Sequence, residues 1–346
     1  MKQTFRYLVL ALVLSLLLGS PTIIRAAAGI SHYYDLDGQP LLEYESIYPA
    51  LQKYFGAVVP ERIIVRGVQG VTSRFDYLRE MVLISEVHLR NQALGTVAHE
   101  SCHLCLENFT KGASVREEFR FFDEGLAEIF QSIIENRTAE YKAEALAVAA
   151  LQRRRNNVGF AKAQKWSDYF GNPRVRTNYY AYPVGASFNY FIIDTYGMDR
   201  LFDFFKDIGD TGDLEESSRH VFKKDQAALE AEWLSYLDRV PVSGEPPRIA
   251  GRFPEHGATG VSIATVEIYL EFDRPMHRFI CLITNCNDGV CYQNAYWKTD
   301  RRLAVKVKLL PNHRYRIGLG NPEYRFLSRE GLELPVTIWE FTTGAE

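Results

Sequence analysis

Six residues constrain this chain more than any other stretch: Ala98-His99-Glu100-Ser101-Cys102-His103. Two histidines stand four positions apart, with a glutamate directly after the first. The surroundings predict a helix over 94–106, because apolar side chains recur at 94, 97, 98, 102, 105 and 106. On a helix, His99 and His103 lie one turn apart on one face, so both imidazoles can reach one zinc ion. Glu100 is adjacent and can point to a water on that ion. An otherwise apolar helix is a poor place for a solvated His/Glu face. The pattern therefore demands a third ligand, since a catalytic zinc takes three protein ligands and keeps a fourth position for water.

Phe121-Phe122-Asp123-Glu124-Gly125-Leu126-Ala127-Glu128 offers that ligand. A helix is expected over 123–134, starting at the acidic pair Asp123-Glu124, which suits a positive helix N-terminus. Glu124 lies 21 residues past His103, enough for a loop and an antiparallel return. Glu128 follows one turn later on the same face. Like charges at that spacing repel, so a cation between them accounts for the pair. Glu128 is placed to accept the outward N–H of a ligating histidine, a contact that fixes the ring's tautomer and basicity.

The HExxH pattern followed by an E-G-x-A-E helix resembles the gluzincin, peptidase MA-like, zinc metallopeptidases. The likeness covers roughly residues 60–240. It extends to Tyr182-Pro183-Val184-Gly185, followed by a helix closing at Tyr196-Gly197. The resemblance implies an α+β fold, with a thermolysin-like catalytic domain of small mixed sheet plus helices. It implies one Zn2+ per chain on His99, His103 and Glu124, with Glu100 as the proton shuttle. Tyr182 would donate its phenol to the oxyanion, with Tyr179 and Tyr180 as rivals in the same cluster. Met81-Val82-Leu83-Ile84 reads as an edge strand that pairs with an extended substrate. No GAMEN-like segment precedes His99, which argues against a simple aminopeptidase. The implied function is hydrolysis of peptide bonds in a peptide or protein substrate. A non-catalytic binding protein on the same scaffold, or a zinc hydrolase of a non-peptide bond, would use the same residues.

Other helices are expected over 139–154, 182–196 (closed by Gly197), 200–208 and 226–237, and a further strand over 62–65. Val240 to Pro247, VPVSGEPP, places a boundary between residues 29–240 and 247–346. Strands then follow over 266–272, 303–309, 315–319 and 336–341. Phe253-Pro254-Glu255-His256-Gly257 and Phe272-Asp273-Arg274-Pro275-Met276 make this part similar to a bacterial Ig-like domain, an all-β sandwich. His256, His277 and His313 are expected at turns or on the surface.

Lys2 and Arg6, the apolar run Tyr7 to Gly19 and Ala26-Ala27-Ala28 read as a secretory signal peptide over 1–28, cut after Ala28. The product would be secreted or periplasmic, with no integral membrane segment after cleavage. Export permits disulfides. Of five cysteines, Cys286 and Cys291 are the best-placed pair, with Cys281 a competitor for either. Cys102 and Cys105 read as small core residues. The net charge of −3 offers no basic field for nucleic acid.

Overall fold

The computed structural model describes residues 31–69, 73–91, 93–165, 181–242, 244–278, 280–321 and 325–346. The signal peptide, Tyr179 and Tyr180 lie outside these residues. Among the described residues no helix is long and apolar enough to cross a membrane.

The chain folds as mixed α+β. Its first sheet holds β1 (Tyr33–Tyr34), β2 (Ile63–Val68), β3 (Arg74–Asp76) and β4 (Met81–Ser85), ordered β1-β2-β4-β3. The first two and β4 run parallel, and β3 is antiparallel to β4. The edge assignment for Met81 to Ile84 is thus corrected. β4 lies inside the sheet, and β3 forms the edge. The apolar run explains this: every residue of β4 is buried, and an unbroken apolar strand is one covered on both faces.

Helices follow: α1 (Tyr48–Phe55), α2 (Glu86–Asn91), α3 (Ala93–Phe109), α4 (Glu117–Ile134), α5 (Thr138–Arg154), α6 (Phe160–Ala163), α7 (Ala181–Tyr196), α8 (Met198–Thr211), α9 (Leu214–Phe222) and α10 (Gln226–Asp238). The α1 and α2 helices, α6 and α9 were not anticipated from the sequence. Asp213 and Asp225 start α9 and α10 by accepting the N–H of Glu216 and Ala228, as N-caps do.

One helix start is corrected as well. The α4 helix begins at Glu117, so Asp123 and Glu124 lie in its interior. Glu117 and Glu118 occupy the acidic first turn, where the helix dipole favours them. The later acidic pair is held by something other than the dipole.

Two glycines set the crossing of α4 and α7. A Cβ on Gly125 would come 2.2 Å from the backbone carbon of Gly185. One on Gly185 would come 2.3 Å from the carbonyl oxygen of Phe121. The helices therefore touch backbone to backbone. Asn189 adds a hydrogen bond of 2.9 Å to the carbonyl of Phe122. At the end of α7, Gly197 has φ 94°, a conformation glycine adopts without strain, and its N–H reaches back to the carbonyl of Ile193.

After α10 the elements are strands, apart from a short 3-10 turn at Cys286–Asp288. One four-stranded sheet is ordered β5 (Ile249–Phe253), β7 (Glu267–Phe272), β10 (Arg302–Val307), β9 (Val290–Trp297). The other is ordered β6 (Ala258–Val261), β12 (Thr337–Thr343), β11 (Arg314–Leu319), β8 (Leu282–Ile283). Alternating residues from both sheets, including Ile268, Leu270, Leu303, Ile317, Trp339 and Phe341, bury into one apolar cluster. Val148 of α5 joins that cluster, and Arg329 reaches within 2.8 Å of Glu144 on the same helix. Cys286 and Cys291 form the disulfide, and Cys281 is buried outside it. Contrary to expectation, His277 is buried too. It follows Met276, another buried residue, and sits among the loops that close the cluster rather than at a surface turn.

Candidate metal centre

The α3 helix is buried along nearly its whole length, and the two histidines face α4. His99 Nε2 lies 3.2 Å from Glu124 Oε2, and His103 Nε2 lies 3.1 Å from the same oxygen. The three donor atoms fall within 4.8 Å of one another, and all three residues are buried. Two imidazole nitrogens and one carboxylate oxygen make a donor set that suits zinc. Ligand atoms about 2.0–2.1 Å from a tetrahedral metal sit roughly 3.4 Å apart. The two His–Glu separations are close to that, so the residues fit a single divalent ion.

The far side of each histidine supports the same orientation. His103 Nδ1 meets Asp123 Oδ1 at 2.9 Å. His99 Nδ1 lies 3.7 Å from Glu128 Oε1, an ion-pair separation longer than a hydrogen bond. Carboxylates on both Nδ1 atoms favour the tautomers whose Nε2 lone pairs point at the shared centre. Glu128 lies on the expected side of His99 but does not make the hydrogen bond the sequence reading gave it. Asp123 is a partner that sequence reasoning missed. The available signal was its position directly before Glu124, on a helix that must cross the HExxH helix.

Arg120 is a second missed residue. Its Nη2 and Nε hydrogen-bond Glu124 Oε1 at 2.7 and 2.9 Å. The guanidinium also approaches Asp123 Oδ2 at 3.7 Å. Glu124 is thereby divided: one oxygen is held by arginine, and the other faces the histidines. Phe75 of β3 stacks on His103, with ring centroids 5.4 Å apart, and fixes the ring from the sheet side.

Charge explains how the groups coexist. Burial alone would strip the proton from His103, yet Asp123 and Glu124 outweigh it and hold the ring up at about 10. Burial would likewise raise Glu124, but His103, His99 and Arg120 keep it well below the usual carboxylate range. The carboxylates around the histidines thus favour positive charge at this centre. Glu100 is buried beside it, and burial raises its carboxyl above the ordinary value despite both histidines. Tyr182, at the start of α7, brings its ring centroid to 6.3 Å from that of His99. Burial first, then Glu124 and Glu128, push its phenol well above its ordinary range, so it stays protonated at neutral pH.

No protein-family model matches the chain, and no curated protein matches it.

Proposed function

We propose that this chain is an exported zinc metallopeptidase of gluzincin type. In this reading residues 29–240 form a thermolysin-like catalytic domain and 247–346 an Ig-like sandwich domain. One observation carries it: His99, His103 and Glu124 converge in a buried centre, each histidine is backed by a carboxylate, and Glu100 adjoins them.

When bound, zinc lowers the pKa of a coordinated water and polarises the substrate carbonyl. His99, His103 and Glu124 would hold it, with Arg120 confining Glu124 to one donor oxygen. Glu100, whose carboxyl burial raises above its ordinary value, takes the proton of the attacking water and returns it to the leaving amine. Tyr182 keeps its proton and donates a hydrogen bond to the oxyanion that develops. The outer edge of β3, which no strand among the described residues covers, lies beside His103 and is where an extended substrate would add as a further strand.

Metal content of the purified protein tests this first. About one zinc per chain is expected, lost in a His99→Ala, His103→Ala variant. Glu100→Gln should keep the metal and lose cleavage of a peptide library. Full cleavage by Glu100→Gln would overturn the assignment, and a chain that never takes up zinc would remove its basis.

A further inference from the structure

A cleft of about 650 Å³ opens along β3 and is lined by Arg66, Arg74, Arg79 and Arg120 over an apolar floor that includes Met81 and Leu83. The sheet register explains the clustering. Arg66 on β2 and Arg74 on β3 are both paired with Leu83, the residue between them on β4. All three side chains therefore share one face, and with strands about 4.8 Å apart the two arginine backbones stand roughly 10 Å apart. Both are exposed, and neither pairs with a carboxylate among the described residues. Arg79 is different, since it meets Asp76 at 2.8 Å. Among the described residues, only Asp76 and Glu107 bring acidic groups to the lining.

Two residues of the cleft lining also touch the metal centre. Arg120 lines it while holding Glu124. Phe75, between Arg74 and Asp76, turns to the opposite face and stacks on His103. The β3 strand thus presents arginine to one face and the metal site to the other. A strand paired to its free edge must alternate in the same way.

The geometry points to an acidic peptide segment as the occupant of this cleft. On the peptidase reading, on which this rests, the substrate carries Asp or Glu at alternate positions near the scissile bond. Those carboxylates lie on the face that carries Arg74, with Arg66 two strands further in adding to the same positive field, and the intervening residues face the metal. Among the described residues the two arginines have no carboxylate partner, and the peptide supplies one.

Two measurements on the full chain test this. In the first, a fluorescein-labelled peptide with Glu at alternate positions is titrated against zinc-loaded Glu100→Gln protein, beside the same peptide with Gln for Glu. At low salt the acidic peptide should bind roughly tenfold more tightly. The advantage should vanish in R66E/R74E and shrink as salt shortens the screening length. In the second, sites cut by the wild-type enzyme in a peptide library are mapped by mass spectrometry. Acidic residues should be enriched at alternate positions for the wild type and not for R66E/R74E. Should that variant melt early, R66Q/R74Q replaces it. Equal binding of the two peptides, or an enrichment that survives both variants, overturns the inference. Cleavage without acidic enrichment overturns it too, while the peptidase reading stands. Acidic-selective binding with no cleavage of any peptide keeps the cleft assignment and removes the peptidase reading.

Discussion

Asp123 and Glu124 are neighbours in sequence, yet both serve His103. They can do so because the ring offers two nitrogens pointing in different directions, one to each carboxylate. The ligand pattern His99, His103 and Glu124 was legible because spacing alone puts the two histidines on one face. The roles of Asp123 and Arg120 were not, because they depend on how α4 crosses α3. Sequence reading gave Asp123 to the helix dipole, when a buried imidazole holds it. Outer partners of a metal ligand typically matter at the level of 10–100-fold in affinity. On the proposed zinc reading, Asp123→Asn should therefore weaken metal binding by about 10–100-fold, measured by competition with a chromophoric chelator. Glu128→Gln should cost less, since its 3.7 Å approach to His99 is longer than a hydrogen bond.

At the scale of elements, the strongly periodic helices were readable and their packing was not. The 94–106 and 139–154 expectations fall inside α3 and α5, and α10 runs one residue past its predicted end. Short helices escaped because α6 spans only Phe160–Ala163, too few residues to show a period. Gly125 and Gly185 belonged to motifs singled out for chemistry, but their structural work is close approach. The α4 helix carries Glu124 and α7 carries Tyr182, so this contact sets the distance between them. Ala at either position would drive a Cβ into backbone that cannot yield. Overpacking of this kind costs about 1–3 kcal/mol or more. Gly185→Ala should lower the melting temperature accordingly. On the peptidase reading it should also reduce kcat with little change in metal content, because Tyr182 moves while His99, His103 and Glu124 stay.

For the molecule as a whole, the mixed α+β class and the change from helices to strands after α10 could be read from the periodicity switch alone. The contact of α5 with the C-terminal sheets could not, because Val148 looks like any other apolar residue of an Ala-rich helix. The buried His277 ties acid stability to this half. Burial, with Arg137 and Arg278 nearby, depresses its pKa from 6.5 to about 3. A depressed folded-state value contributes stability that is present above pH 6.5 and lost as pH falls toward 3. Near pH 4.5 the loss is on the order of 2–3 kcal/mol. Thermal melts between pH 7 and pH 4.5 should show that slope, and His277→Gln should flatten it. The sheet beside the metal centre has its own consequence, which concerns time. Strand β4 is bonded on both sides and buried on both faces, so its amides should open only when the whole domain does. In deuterated solvent they should be among the last to exchange. The outward amides of β3 have no strand beyond them among the described residues and should exchange early. A bound peptide that completes the sheet would slow those few amides and leave β4 unchanged.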